Sequence, residues 1–313
     1  MNFDELFGHL GQHTVDGLAK GAIYALVALG YTLVYGVLKL INFAHSEVFM
    51  VGTFTVVGVW SLMGATDGPP VGTMLLLLTV ALLASAAVSG LTAVAVERIA
   101  YRRLRRMNAP PLIFLITAIG LSLVMSEAFG LWQGRLVVGM PTVLERDVVF
   151  SIAGTDVTNT QLITVVAALV MMVGLDVFIN RTRYGRGVRA VAQNPDTAAL
   201  MGVNKDRVIA LIFLLGGLLA GAAALLYTMR YGNTRFNVGF ILGLKAFTAA
   251  VLGGIGNIRG ALLGGLLLGV VEVYAATLTK SSWEDVAAFV VLVVVLLFRP
   301  TGLLGESLGR ARA

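Results

Sequence analysis

The sequence predicts an all-α protein, a polytopic transmembrane helical bundle of eight or nine spans in which residues 1–313 form a single domain. Hydrophobic residues make up 58% of the chain and charged residues 13%, and the mean hydropathy is +0.88. A soluble domain carries about 25% charged residues. The 37 glycines suit helices that approach closely in lipid. The lipid bilayer is therefore the predicted environment of most of the chain.

Apolar stretches long enough to cross the hydrocarbon core, which takes about 20 residues, recur along the whole chain. The nine candidate spans are residues 15–38, 46–64, 71–96, 111–133, 160–180, 208–230, 240–258, 260–279 and 284–300. The first two and the seventh and eighth are joined by links too short for ordinary loops. One member of either pair is a candidate for a broken or re-entrant helix.

Positive charge is concentrated in two segments between candidate spans, which predicts that both face the cytoplasm. These segments hold Arg98, Arg102, Arg103, Arg105 and Arg106, and then Arg181, Arg183, Arg186, Arg189, Lys205 and Arg207. Residues 134–159 are then expected outside, and the N-terminus as well if every segment spans. The net charge of +6 is explained by membrane orientation, without a nucleic-acid partner.

Several kinds of site are disfavoured by composition. The chain has no cysteine and three histidines, which excludes a disulfide framework and argues against a metal site. No Gly-x-x-x-x-Gly-Lys-[Ser/Thr] phosphate loop occurs, so no cofactor is expected in this chain and ATP must be bound elsewhere if it is used. The opening Met-Asn-Phe-Asp-Glu lacks the positive region of a secretory signal, so the first apolar stretch is expected to stay in the mature protein.

Residues 30–47 and 248–261 form a faint internal repeat, since each is an apolar helix that ends in isoleucine, asparagine and a charge. The asparagines are Asn42 and Asn257. Transporters are often built from repeats, with the substrate path at their interface and marked by interrupted helices. Both asparagines are therefore candidates for the translocation pathway, and a chance match of glycine-rich apolar segments is the alternative.

Further pathway candidates are His45, Glu47 and Glu272, because ionisable groups at membrane depth are costly and often functional. For residues 39–47 two interpretations stand. Either the segment is a cytoplasmic turn in which Asn42 and Ser46 cap the next helix, or it lies inside the bundle and holds a broken helix. Asp176 and Lys245 are two other charged residues within apolar stretches. Both are expected near helix ends, with their side chains reaching the membrane–water interface.

Residues 183–204 hold the clearest local signals of the chain. Asn194 is a good N-cap, Pro195 fits the first helical position, Asp196 suits the positive helix end, and Gly202 is a natural stop. A short helix over 195–201 is predicted. Because one or two turns are not stable alone, this helix must dock on its own protein or on a partner.

The segment from Asp196 to Gly202 resembles the Glu-Ala-Ala-x-x-x-Gly loop of ATP-binding-cassette (ABC) importer permeases. Ala198 and Gly202 match that motif, whereas Asp196 replaces glutamate and Thr197 replaces the first alanine. In those permeases the loop carries the coupling helix, which is seated in a cleft of the ATPase subunit. The resemblance implies that residues 181–207 form an ATPase-coupling loop, with Asn194 and Pro195 at the start of its helix.

Four further segments resemble the high-affinity branched-chain amino-acid permease family, the LivH-type subunit, nearly end to end. They are Gly-Ala-Ile-Tyr-Ala-Leu at 21–26, Gly-Tyr-Thr at 30–32, Ile-Asn-Phe-Ala-His at 41–45 and Ala-Gln-Asn-Pro at 192–195. The glycine-rich residues 253–257 match as well, and Ser46 stands where many members carry glycine. The resemblance implies a bacterial inner-membrane permease for leucine, isoleucine or valine. Its implied partners are a second homologous permease, two ABC ATPases and an extracytoplasmic substrate-binding protein.

Three alternatives remain at this point. The chain could be an ABC permease for another small solute, such as other amino acids, amides or urea. It could be an ion-coupled secondary transporter in which His45, Glu47 or Glu272 carries protons. A membrane enzyme with His45 and Glu47 as an acid/base pair is disfavoured, because no nucleophile or metal motif accompanies them.

Overall fold

The computed structural model describes residue 6, residues 8–152 and residues 154–305, and helices dominate this part of the chain. Helices are numbered in chain order: α1 (Leu10–Leu38), α2 (His45–Leu62), α3 (Val71–Val96), α4 (Arg102–Arg106), α5 (Pro111–Gln133), α6 (Asn159–Arg181), α7 (Arg183–Gln193), α8 (Pro195–Leu200), α9 (Lys205–Tyr231), α10 (Val238–Gly253), α11 (Ile258–Leu278) and α12 (Glu284–Phe298). A π-helix, Glu97–Tyr101, joins α3 to α4, and a 3-10 turn, Ser281–Trp283, precedes α12.

Seven helical segments of the described chain are long and apolar enough to cross a membrane, which confirms the predicted helical transmembrane bundle. They are Leu10–Leu38, Val71–Arg106, Pro111–Gln133, Asn159–Arg181, Lys205–Tyr231, Ile258–Leu278 and Ser281–Phe298. The two remaining predicted spans are α2 and α10. Each belongs to one of the pairs that the sequence marks as joined by a short link.

Each of these two helices differs from a membrane-length apolar helix for a physical reason. Helix α2 has 18 residues, and its first turn holds the polar His45, Ser46 and Glu47. Helix α10 has 16 residues and ends at Gly253, after which Gly254 and Gly256 adopt φ values of +105° and +99°. A left-handed backbone of this kind ends a helix and suits glycine, so the chain turns at once into α11.

By contact density the described chain divides into two compact units, the first drawn from three separate stretches and the second from two. The first contains residues up to Thr32, Arg146–Asp176 and the chain from Lys245 onward. Its centre is the contact of α1 with α11, where glycines face each other's backbone. A Cβ added at Gly17 would lie 2.6 Å from the Cα atom of Val270, and one added at Gly265 would lie 2.6 Å from that of Ala25. Small residues therefore set the spacing of these helices.

The second unit contains Leu33–Glu145 and Val177–Leu244, and α2, α3 and α9 form its centre. Serine hydroxyls join the helices, since Ser85 donates to the carbonyl of Gly221 (3.0 Å) and Ser89 to that of Val48 (3.1 Å). At one end Trp60, Leu77 and Leu225 belong to a buried apolar cluster. Both kinds of contact are those expected of helices packed in lipid.

Four short strands accompany the helices within the described residues, and the sequence does not predict them. In the first unit β2 (Val148–Ile152) pairs antiparallel with β3 (Thr155–Thr158), and Ile152 lies opposite Thr155. In the second unit β1 (Val138–Gly139) pairs antiparallel with β4 (Asn233–Thr234). β1, β2 and β3 lie within residues 134–159, the loop expected outside the membrane, so the spanning part of the fold stays helical.

Candidate functional site

Helix α8 is the short helix that the sequence predicts between Asn194 and Gly202. The side-chain oxygen of Asn194 accepts from the backbone N–H groups of Asp196 and Thr197, at 3.0 Å each, and Pro195 occupies the first turn. At the other end Gly202 has a φ of +84°, and its N–H donates to the carbonyl of Ala199 (3.0 Å). The predicted caps and both helix ends are confirmed to within one residue.

One side of α8 packs against the rest of the protein, whereas its C-terminal end carries exposed apolar side chains, which we call the apolar tip. Ala198 is buried, whereas Leu200 is 89% exposed and Met201 is 81% exposed. Asp196 is held by an ion pair with Lys205 (3.4 Å). Two large apolar side chains at an exposed helix end are unfavourable in water, so this tip has the character of a contact surface.

Residues 39–47, the first candidate pathway segment, are folded into the second unit. Asn42 is 2% exposed, and its side-chain oxygen accepts a hydrogen bond from the hydroxyl of Tyr101 (2.9 Å). Helix α2 has no side-chain cap, and Ser46 donates to the carbonyl of Phe43 (2.6 Å). Asn42 and Ser46 therefore do not cap α2, so the capping role expected of them is wrong.

Glu47 is fully buried and His45 is 2% exposed. One carboxylate oxygen of Glu47 accepts from the hydroxyls of Ser122 (3.0 Å) and Ser46 (3.4 Å). The other oxygen has no hydrogen-bond partner within the described chain. It lies beside Gly239, where an added Cβ would stand 2.8 Å away. The structure brings Asn42, His45 and Glu47 into one buried segment, and their role in a pathway stays a prediction.

Glu272 belongs to a second buried cluster, in the first unit. Its carboxylate forms ion pairs with Lys20 (3.2 Å) and Lys245 (3.3 Å) and accepts from the hydroxyl of Tyr24 (2.8 Å). The side chain of Lys245 is 6% exposed. The expectation that Lys245 reaches the membrane interface is therefore wrong, because three carboxylates hold it inside the unit.

The remaining members of this cluster come from the start of α12. Glu284 contacts Lys20 and lies 3.0 Å from Lys245, and Asp285 lies 2.7 Å from Lys245. Lys20, Glu284 and Asp285 are not among the site residues predicted from the sequence. The sequence did contain a sign of this cluster, because Lys20 is a charged residue inside the first predicted span, and such a residue needs a partner there. We call Lys20, Lys245, Glu272, Glu284 and Asp285 the charge cluster.

Asn257, the counterpart of Asn42 in the faint repeat, caps a helix. Its side-chain oxygen accepts from the N–H groups of Arg259 (3.0 Å) and Gly260 (3.1 Å), and its amide donates to the carbonyl of Leu304 (2.8 Å). These bonds fix the turn between α10 and α11. Its predicted contribution to a pathway stays a prediction. Arg259 also pairs with Asp176 (3.2 Å), whose side chain is 22% exposed.

Comparison with known proteins decides the family. Residues 13–296 match the family described as branched-chain amino acid transport system / permease component. The chain belongs to this permease family. It is similar to the high-affinity branched-chain amino acid transport system permease protein BraD of Pseudomonas aeruginosa, with 44% identity over 95% of this chain and 96% of that protein. Its identity to LivH of Escherichia coli K12 is 38% over 96% of this chain and 97% of that protein, and to LivH of Salmonella typhimurium 38% over the same shares.

Family membership and the seven long apolar helices together make this chain a multi-pass membrane protein, a permease component of a transport system. The predicted resemblance to the branched-chain amino-acid permeases is confirmed. Among the residues that the structure describes, no group of three or more histidine, aspartate or glutamate side chains is arranged to hold a metal ion.

In the permease, replacing Asn194 by alanine is expected to loosen α8 without unfolding the chain. Loss of an N-cap costs about 1 kcal/mol, which corresponds to roughly fivefold faster opening. Hydrogen exchange at the amides of residues 196–198 would measure it. The matched control is Asn204→Ala, which removes the cap of α9, where the side chain accepts from Arg207 N–H at 3.0 Å. Unchanged exchange at 196–198 in the Asn194 variant would contradict the capping role.

Proposed function

We propose that this permease is the membrane-spanning subunit of an ABC importer that carries branched-chain amino acids inward across the bacterial inner membrane. The observation that carries the proposal is α8, a well-capped short helix with an exposed apolar tip, at the position of the importer coupling loop. Its matched residues are Asn194, Pro195, Ala198 and Gly202. The partners of the proposed complex are two ATPase subunits, a second homologous permease and an extracytoplasmic binding protein.

The proposed mechanism is ATP-driven alternating access. ATP is bound and hydrolysed in the partner ATPases, whose movement displaces α8. Capping at both ends makes α8 a stiff element, and α7 and α9 flank it directly in the chain, from Arg183 to Tyr231. A push on α8 is therefore transmitted to α9, a helix at the centre of the second unit, and shifts which side of the membrane is open.

The alternative is an ion-coupled carrier. The contacts of the buried carboxylates, Glu272 of the charge cluster and Glu47, indicate which of them is the better candidate for carrying a proton. A proton carrier needs a carboxylate that changes charge during the cycle. Glu272 is paired with two lysines at 3.2 and 3.3 Å, so loss of its charge would leave both lysines without that partner, which argues against a proton-carrying role. Glu47 is the stronger candidate, because its partners are two hydroxyl groups. The uncoupler arm of the experiment below addresses this alternative.

The decisive experiment has two arms. In the first, the tagged chain is extracted in mild detergent, and we expect two P-loop ATPases and a second permease to co-purify. In the second, the complex is reconstituted with its binding protein, and leucine uptake is measured with ATP and an uncoupler. Uptake should need ATP and survive the uncoupler. Reproducible isolation without an ATPase, or uptake that collapses with the uncoupler while ATP is high, would overturn the proposal.

The choice of solute follows from the relatives, which are named as branched-chain amino acid transport permeases. We expect isoleucine and valine to compete with labelled leucine in the reconstituted complex. Competition by urea or a short amide, with none by valine, would favour the other-solute alternative and leave the ATP-driven mechanism in place.

A further inference from the structure

A pocket of about 600 Å³ in the second unit lies between α7 and the start of α9. Its wall is mainly apolar and includes Ala190 of α7 and Val203, Val208 and Leu211 at or near the start of α9. The mechanism proposed above does not use this pocket. Its lining fits a hydrocarbon chain better than a polar solute.

Three arginines stand around this apolar wall, Arg183, Arg186 and Arg207. All three are exposed, and none of them forms an ion pair or a side-chain hydrogen bond within the described residues. The first basic segment is different, because Arg102 and Arg105 there are paired with the buried Glu97 at 3.0 and 2.7 Å. Membrane orientation alone explains why arginines are present, whereas it does not explain why these three surround an apolar wall with no carboxylate among the lining residues.

The ends of two membrane-length helices flank the pocket in the chain, which is the position expected for the headgroup region of a bilayer. Helix α6 ends at Arg181 and α9 begins at Lys205, and both are membrane-length helices. Leu211 is six residues into α9, which places it roughly 9 Å along the helix axis. Tyr184 is 70% exposed and its ring stacks on Phe178, with centroids 6.4 Å apart and planes 4° apart. Exposed aromatic rings of this kind are typical of the membrane interface.

We propose that this pocket binds one anionic phospholipid of the cytoplasmic leaflet. Arg183, Arg186 and Arg207 hold the phosphate of the headgroup, and one acyl chain lies along Ala190, Val208 and Leu211. Basic pockets beside membrane helices on the cytoplasmic side are known to suit anionic headgroups. An acidic protein segment fits less well, because the apolar wall continues into the span below the arginines. The bound lipid ties α7, and with it α8, to the bilayer surface.

Native mass spectrometry of the permease, extracted in its purified complex, tests this proposal. The complex is titrated with phosphatidylglycerol and, separately, with phosphatidylcholine. We expect tighter binding of phosphatidylglycerol, and about tenfold weaker binding in the variant Arg183→Gln/Arg186→Gln. The matched control is Arg98→Gln/Arg103→Gln, which removes two exposed arginines of the other basic segment and should leave binding unchanged.

A second variant separates a pocket from a diffuse basic surface. A Cβ added at Gly187 would lie 3.6 Å from the nearest atom of Val208, in ordinary contact, so Gly187→Leu is expected to fold and to fill the pocket while every charge stays. It should weaken phosphatidylglycerol binding. Equal losses in the control variant, no preference for the anionic lipid, or full competition by inorganic phosphate would each overturn the proposal. Binding retained in Gly187→Leu would overturn it as well.

Discussion

Replacing Lys245 by methionine is expected to be among the most destabilising single changes in the chain. Lys245 contacts Glu272, Glu284 and Asp285 at 2.7 to 3.3 Å, and its side chain is 6% exposed. Without it, Asp285 loses its ion pair, and Glu272 and Glu284 keep Lys20 as their cation. Removing one partner of a buried ion pair costs about 3–5 kcal/mol, which would lower the unfolding temperature by roughly 10 °C. Thermal unfolding of the purified permease in detergent would measure this loss.

Two further variants distinguish charge imbalance from lost packing. Lys245→Met combined with Glu272→Gln restores the balance, so its unfolding temperature should recover part of the loss. The exposed pair supplies the control, because Arg259 is 70% exposed where it contacts Asp176. Arg259→Met should cost less than about 1 kcal/mol. The single variants Lys245→Met and Glu272→Gln each lose some stability. If the double variant lost as much as these two losses added together, the coupling between Lys245 and Glu272 would be contradicted.

The long helices and the short helix α8 could be predicted because their signals are local. A span requires about 20 apolar residues in a row, whatever the rest of the chain does. The ends of α8 likewise depend on neighbouring residues: Asn194 bonds the next turn, and Gly202 adopts the left-handed backbone that ends it. Each of these features is specified within a few positions.

The buried clusters could not be predicted in full, because their partners are distant in sequence. Lys20 and Glu272 are separated by more than 250 positions, and hydropathy does not indicate which face of a helix carries either. For the same reason Asn42 resembled a turn residue, although the hydroxyl of Tyr101 holds it inside the unit. Glu47 was a candidate from the sequence, but its contact with Ser122 required the packing of α2 against α5.

Replacing both Leu200 and Met201 by aspartate is expected to abolish coupling between the permease and its proposed ATPase partners. The two side chains are 89% and 81% exposed, so the change should not disturb folding. Burial of a leucine or methionine side chain contributes about 1.5–3 kcal/mol. Loss of both therefore weakens docking by roughly a hundredfold or more. ATPase recovery in pull-downs of the tagged permease, and leucine uptake after reconstitution, would measure the effect.

The control must add the same charge on the same side of the membrane. Met107 is 68% exposed and Asn108 follows it in the other basic segment, which is predicted to face the same side, so Met107→Asp/Asn108→Asp introduces two aspartates away from α8. Asn108 has a φ of +50°, a backbone that aspartate also accepts. The control variant should retain the ATPase subunits, because negative charge alone does not remove the apolar tip. If both variants lost the ATPases equally, general repulsion would explain the loss, and α8 would not be the docking element.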